Sequence, residues 1–319
     1  MNEFQKRASI LEKRATYQGL FYISLLAAIL LHVFFKMDPR LFLEGTFVVV
    51  CIFMGIGFRH FSIFIHLIGT GVLSFLSGYI GMMAFQGMGL IFYLFHWGVY
   101  FLLTLMIKLL IERYQTEQED TLSLVITLSK TLDARDAYTA SHSENVAHYA
   151  ALIAEKMRLS PRTCHNIYIG ALLHDIGKIG IPENILNKPS QLTEAEFERI
   201  KEHPQRGYEM VNHITKFKKN GLLDIIRYHH ERYDGSGYPF GLKERSIPLA
   251  ARIVSVADSF DAMTSKRVYR SRPLTTDYVI NEIKQNSGTQ FDPDAAKALI
   301  ALIEEEKIQF NTSHLWLAK

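Results

Sequence analysis

Between Tyr17 and Ile107 the only Asp, Glu, Lys or Arg residues are Lys36, Asp38, Arg40, Glu44 and Arg59. A stretch so poor in charge cannot clothe itself in polar surface, so it belongs in lipid or deep in a core. Four apolar segments fill it, approximately Gly19–Phe35, Leu41–Phe58, Phe61–Met83 and Met88–Leu110. Each is near the roughly 20 residues that a helix needs to cross the hydrocarbon core, which predicts four transmembrane helices. A cleaved signal peptide is the competing account of the first, but further spans follow it and it has no small-residue cleavage pattern. Basic residues set the orientation. Lys6, Arg7, Lys13 and Arg14 precede the first span, Arg59 lies between the second and third, and Lys108 and Arg113 end the fourth. These segments are expected to face the cytoplasm, and an even number of spans returns the rest of the chain to that side. His32, His66, His96 and Glu44 are costly in lipid unless they face a bundle interior or an interface. Their spacing is not that of metal ligands.

Composition sharpens the division. Of 32 acidic residues only Glu3, Glu12, Asp38, Glu44 and Glu112 precede Arg113, so the later half reads as an ordinary water-soluble domain. The expected layout is a tail over 1–18, a transmembrane region over 19–110, a connector helix over 111–133, a domain over 121–308 and a tail over 309–319. The net charge of +3 is too small for a nucleic-acid polymer as partner. Cys51 and Cys164 have neither zinc spacing nor a shared setting, which fits a reducing compartment. In the connector, Ile111, Tyr114, Val125, Leu128 and Leu132 fall at heptad-like offsets, interrupted by Gln118 and Thr121. A coiled coil joining two protomers and a first helix packed on its own domain are equally consistent with that pattern.

The residues that can carry chemistry lie in the soluble half: His142, His174 with Asp175, His203, His229 with His230, and Asp258. Imidazole and carboxylate suit first-row transition metals, and paired metals about 3.5–4 Å apart need a shared oxygen ligand. Asp175 is the natural bridge. Gly170–Lys178 is expected to be an apolar helix ending at Gly177. His203 is placed on a helical stretch Glu194–Val211, and the histidine pair ends a third, Leu222–His230. Taken singly, a His-Asp dipeptide, a histidine before Pro204 or a histidine pair is ordinary.

Together and in order they resemble the HD-GYP family, a branch of the HD phosphohydrolase superfamily. The resembling segments are DARDAYTASHSENV (Asp133–Val146), LLHDIGKIGIPENILNKPSQLTEAE (Leu172–Glu196), EHPQRGYEM (Glu202–Met210), HHERYDGSGYPFGL (His229–Leu242), IPLAARIVSVADSFDAMTSKRVYR (Ile247–Arg270) and FDPDAA (Phe291–Ala296). The resemblance implies a helical-bundle HD-type metallohydrolase domain, so that with the four-helix transmembrane region read from the apolar segments the expected chain is all-α. It further implies hydrolysis of cyclic di-GMP to the linear dinucleotide pGpG and in many members onward to GMP. The implied metal ligands are His142, His174, Asp175, His203, His229, His230 and Asp258. The glutamate with which some members hold a third metal is replaced by Tyr138, so two divalent ions, iron or manganese, are expected. The resemblance also implies phosphate contacts by Lys178, Arg267 and Arg270, and a substrate contact by Tyr238 within Gly237-Tyr238-Pro239. On residue type alone the three basic residues also fit a solvated face, and the Gly-Tyr-Pro element a tight turn bracing the histidine pair. Asp261 and Thr264 are expected to orient ligands, Thr264 equally to bond local backbone. The implied setting is a multi-pass protein of a bacterial inner membrane with a cytoplasmic catalytic domain. A catalytically silent HD-GYP module, or a hydrolase of another cyclic dinucleotide, is the alternative.

Overall fold

The computed structural model describes residues 14–35, 39–82, 90–135, 141–265 and 274–308. Among them every regular element is helical, and the one strand-like pairing is an isolated bridge between Ser287 and Phe291. The chain divides into two compact units, Met1–Asp120 and Thr121–Lys319.

The first unit contains α1 (Arg14–Phe35), α2 (Pro39–Gly57), α3 (Ile63–Met82) and the earlier part of α4 (Leu90–Arg135). Phe47, Val50, Cys51 and Met54 of α2 meet Ala28, Leu73 and Tyr100 in a small interior. A methyl group on Gly55 would lie 2.8 Å from the Thr104 carbonyl oxygen, so only glycine lets α2 and α4 approach this closely. The rest of the distribution is inverted relative to a soluble domain. Phe64, Ile68 and Ile91 are 75%, 67% and 84% exposed, whereas His66, Thr70 and Thr104 are fully buried. The buried hydroxyls find main-chain acceptors: Thr70 donates to the His66 carbonyl at 2.7 Å and Thr104 to the Cys51 carbonyl at 3.4 Å. One helix, Tyr93–Arg135, holds a stretch long and apolar enough to cross a membrane, while Ala15–Leu31, Gly45–Gly57 and Ile63–Ser77 are shorter apolar helices. The side chains of His32 and Glu44 lie outside the described residues. His66 Nδ1 donates to the Ser62 carbonyl at 3.0 Å, and the His96 ring meets Tyr100 edge-on, 6.3 Å between centroids.

The second unit begins within α4 and continues through α5 (His142–Lys156), α6 (Pro161–Leu172), a 3₁₀ turn (Ile176–Gly180), α7 (Glu183–Leu186), α8 (Glu194–Lys201), α9 (His203–Val211), α10 (Thr215–Lys219) and α11 (Leu222–Tyr228). A second 3₁₀ turn (Glu244–Ser246), α12 (Leu249–Thr264), α13 (Thr276–Gln285) and α14 (Pro293–Glu304) complete it. Local chemistry starts these helices where it should. Ser160 caps α6 ahead of Pro161, Thr193 and Glu196 form a reciprocal capping box on α8, and Asp292 accepts from Asp294 N and Ala295 N at the start of α14. Ile153, Ile167, Ile226, Val254, Phe260 and Leu299 are all buried in the core between α5, α6, α11, α12 and α14.

Two expectations about local structure are corrected. The helix containing Gly170 starts at Pro161 and ends at Leu172, so His174 and Asp175 lie in the turn beyond it and Gly177 lies inside the 3₁₀ turn. Gly177 is there for proximity: a methyl group would fall 1.9 Å from the His203 carbonyl oxygen. The stretch Glu194–Val211 is two helices, α8 and α9, parted at Glu202, because Pro204 has no amide hydrogen to give to an incoming helix. The connector's seam splits as well. Val125 and Leu132 are buried, whereas Tyr114 and Leu128 are each 50% exposed.

Candidate metal centre

Each proposed ligand is delivered by a different feature of the helical core. His142 opens α5, His174 and Asp175 form the turn after α6, His203 opens α9, His229 caps α11 with His230 following, and Asp258 sits within α12. The chain therefore brings the seven residues together. Asp175, His203, His229 and His230 form one group and His142, His174 and Asp258 another, with the ligand atoms of each group within 4.8 Å of one another.

The imidazoles are fixed in one tautomer by their outer nitrogens. Nδ1 of His174 donates to the Ala171 carbonyl at 2.6 Å, that of His203 to the Ile200 carbonyl at 2.7 Å, and that of His229 to the Ile226 carbonyl at 3.0 Å. His142 Nδ1 donates to the Asp261 carboxylate at 2.7 Å. With Nδ1 donating outward, each ring when neutral turns a lone pair on Nε2 inward, which is how metal-binding histidines are held. His203 Nε2 lies 3.1 Å from Asp175 Oδ1, and His174 Nε2 lies 3.3 Å from Asp175 Oδ2. One carboxylate thus faces both groups. His142 Nε2 is 3.3 Å from Asp258 Oδ1.

Three observations test whether cations fit here. The Nε2 atoms of His203 and His229 face each other at 3.3 Å, an arrangement of two lone pairs that a shared cation makes favourable. His174 Nε2 is buried and has no hydrogen-bond partner within the protein, despite its closeness to Asp175. The donor set is nitrogen and carboxylate oxygen only, which suits divalent first-row metals. The residues fit two such ions, Asp175 serving both.

The electrostatics agree. Burial works against the charged form of Asp175, but the charges of His174 and Lys178 override it and hold the carboxyl well below the usual range. Asp258 is likewise held low, its burial outweighed by the hydrogen bond and charge of His142. Burial lowers His142 too, yet its hydrogen bonds to Asp258 and Asp261 carry it up to about 10. The field that draws a proton to that ring draws a metal cation equally. Burial, reinforced by the neighbouring His230, keeps His229 neutral, and burial with His203 takes His230 down to about 3. Both remain ligands rather than cations near neutral pH.

Around the ligands, Lys178 Nζ donates to Asp175 Oδ2 at 2.6 Å. Tyr238 stacks on the ligand His230, 4.8 Å between centroids. It is half-buried and forms a wall of the candidate site. Burial and the nearby Asp175 and Asp258 charges push its hydroxyl upward, so it stays a hydrogen-bond donor. Asp261 also accepts from Asn145 Nδ2 at 3.0 Å, which fixes the carboxylate that orients His142. Thr264 takes the local option and donates to the Phe260 carbonyl at 2.8 Å. Arg267, Arg270 and Tyr138 lie outside the described residues. Sequence reasoning passed over Glu231, buried beside the histidine pair, whose carboxylate accepts from Phe240 N and Leu242 N at 2.8 and 3.0 Å and holds the Gly-Tyr-Pro loop. Its place directly after His230 was the available signal.

Comparison with known proteins places this geometry. The HD domain profile matches residues 124–295, more than half of the chain. The chain belongs to the HD domain family. Its HD domain is 43% identical over 195 residues to a cyclic di-GMP phosphodiesterase of Thermotoga maritima, covering 61% of this chain and 53% of that protein. It is 41% identical over 203 residues to the cyclic di-GMP phosphodiesterase response regulator RpfG of Xanthomonas campestris, covering 62% and 52%. A 3'3'-cGAMP-specific phosphodiesterase 3 of Vibrio cholerae is 36% identical over 189 residues, covering 58% and 40%. The chain spans about half the length of the curated relatives it matches.

Proposed function

We propose that this HD domain hydrolyses the phosphodiester bonds of cyclic di-GMP, giving linear pGpG and then GMP. The single observation that carries the reading is the Asp175 carboxylate, whose two oxygens face two separate groups of ligand atoms. Two divalent ions held there, iron or manganese, supply an activated water and neutralise the phosphodiester. The chain's own residues do the rest. Water adds across one P–O ester bond, leaving a phosphomonoester and a freed hydroxyl. Lys178, whose ammonium lies at the mouth of Asp175, would turn to a non-bridging phosphate oxygen of the bound substrate. Tyr238 donates its hydroxyl toward the substrate from the wall formed with His230, and Arg267 and Arg270 contact the second phosphate. Asp261 keeps His142 in the tautomer that presents Nε2.

The first unit is read as a multi-pass anchor of four spans in a bacterial inner membrane, with the HD domain on the cytoplasmic side. Its outward apolar side chains, inward hydroxyls and basic turns support this reading. It is tested by alkaline extraction of membranes, which should leave the chain in the pellet; release into the supernatant overturns it. Leu124 and Leu128, 66% and 50% exposed on α4, support pairing of the connector with a second copy.

The activity is tested by loading the chain anaerobically with iron or with manganese and supplying cyclic di-GMP. A linear dinucleotide product is expected. Stoichiometric metal without turnover would favour a silent signalling module instead. The Vibrio cholerae relative named for 3'3'-cGAMP gives a second substrate reading its own footing. The assay therefore includes that nucleotide, and a higher kcat/KM on it than on cyclic di-GMP would reassign the substrate.

A further inference from the structure

The last turn of α4 grips the active centre at two points. Asp133, buried, accepts from the hydroxyl of Ser143 at 2.7 Å and from its amide nitrogen at 3.2 Å. Ser143 follows the ligand His142, and Ser141 before it has a φ of 73° and gives no side-chain cap to α5. Asp133 therefore supplies, from another helix, the capping acceptor that Ser141 does not give to α5. Two residues on, the Arg135 guanidinium donates to the carbonyls of Lys178, Ile179 and Ile181 at 3.2, 2.8 and 2.7 Å, and to Glu183 at 3.0 Å. Those carbonyls end the 3₁₀ turn that carries Lys178, where helical partners run out. Asn187 closes the grip from the other side, donating to the Arg135 carbonyl at 3.1 Å.

From this geometry we infer that Asp133 and Arg135 are positioning residues of the hydrolytic site, Asp133 acting on the ligand His142 and Arg135 acting on Lys178. The inference rests on the roles proposed above for those two residues. Neither Asp133 nor Arg135 belongs to either ligand group. A planar fork spread over the Lys178, Ile179 and Ile181 carbonyls fixes the pitch of the 3₁₀ turn, and with it the place from which the Lys178 ammonium reaches phosphate. The carboxylate on Ser143 fixes the first turn of α5, and with it the angle at which His142 presents Nε2.

Double-mutant cycles on the 319-residue chain separate positioning from plain stabilisation. Arg135→Gln should lower kcat/KM for cyclic di-GMP roughly 10- to 100-fold, the scale of a small misplacement, with Mn2+ affinity unchanged. Arg135→Lys, which offers a single cationic head, should fall between. If Arg135 works through Lys178, the pair Arg135→Gln with Lys178→Ala loses no more than Lys178→Ala alone. Multiplying losses would overturn the assignment. Asp133→Ala should weaken Mn2+ binding about 10- to 100-fold, as expected when a ligand's support is removed. Asp133→Asn, which keeps one acceptor, should recover part of that loss. A lowered melting temperature with unchanged Mn2+ affinity would reduce Asp133 to a helix cap and sink its half of the inference. Two bound Mn2+ without turnover in the wild type would instead end the phosphodiesterase reading, while the Mn2+ titrations of the Asp133 variants still decide that half.

Discussion

Up to Asp120 many large apolar side chains face outward while Thr70, Ser74 and Thr104 are buried; from Thr121 onward most apolar side chains are inside and imidazoles and carboxylates converge. The two regions also treat their buried polar atoms differently. Thr70, Ser74 and Thr104 each donate to a carbonyl oxygen, at 2.7, 3.3 and 3.4 Å, so their polarity is silenced. In the second region Nδ1 is silenced in the same way, but Nε2 is left to face carboxylates and other lone pairs. Burial of a polar group is thus compatible with either outcome. What marks the candidate centre is convergence: inner ring atoms of several histidines face the same two carboxylates, a grouping that the buried His66 Nε2 of the first region lacks among the described residues.

The sharpest way to break this contrast is to remove the shared carboxylate. Asp175→Ala should abolish hydrolysis and reduce bound Mn2+ below two per chain, while leaving the association of the first unit with membranes unchanged. Near-normal turnover would show that the two ligand groups are not a working pair. The loss follows from chemistry rather than unfolding, because a neutral side chain at that point takes away the one carboxylate that both His174 and His203 face.

Next in size is the contrast in packing. Phe260 is fully buried and meets Tyr149 edge-on, 4.9 Å between centroids, whereas Phe64 is 75% exposed. Phe260→Ala should cost about 3–5 kcal/mol, read as a lower urea midpoint for loss of Mn2+-dependent activity. Phe64→Ala should change that midpoint by less than about 0.5 kcal/mol. An equal loss at Phe64 would mean that the outward face of α3 is covered by protein instead of lipid. A smaller effect is expected at the carboxylate behind His142. Asp261→Ala should weaken Mn2+ binding roughly 10- to 100-fold, and Asp261→Asn less, since it keeps an acceptor for Nδ1. Affinity unchanged in both would show that α5 alone orients the ring.

Legibility from the sequence followed the range of the interactions. The ligands stood out because their types, order and flanking residues match a family pattern, and the division of the chain was written in its charges. The turn at His174 was misread because Gly177 next to an apolar run signals a helix end locally, whereas its role is set by His203, 26 residues on and in contact through its carbonyl. The connector pattern left two readings open because part of its seam, Val125 and Leu132, is taken into the domain's own core while Leu128 stays exposed. Asp133 and Arg135 fell inside a quoted motif yet had no visible task. Their partners are a hydroxyl ten residues away and main-chain carbonyls more than forty away, and main-chain carbonyls carry no sequence signature.

The smallest expected effect concerns Cys164, a polar atom in the second region that packing has silenced as thoroughly as the hydroxyls of the first. It is buried, and burial with the nearby Glu155 charge pushes the thiol up to about 11. Only the thiolate attacks a disulfide, so at pH 8 about one molecule in a thousand is in the reactive form, before access is considered. The folded chain should therefore show almost no reaction of Cys164 with an aromatic disulfide reagent at pH 8, and prompt reaction after unfolding in guanidinium. Since the raised value is a property of the folded state, raising the pH toward 11 should speed the native reaction by about tenfold per unit. A native thiol that reacts at once at pH 8 would show that the α6 face carrying Cys164 opens readily, and that the second region is less tightly closed than its buried core implies.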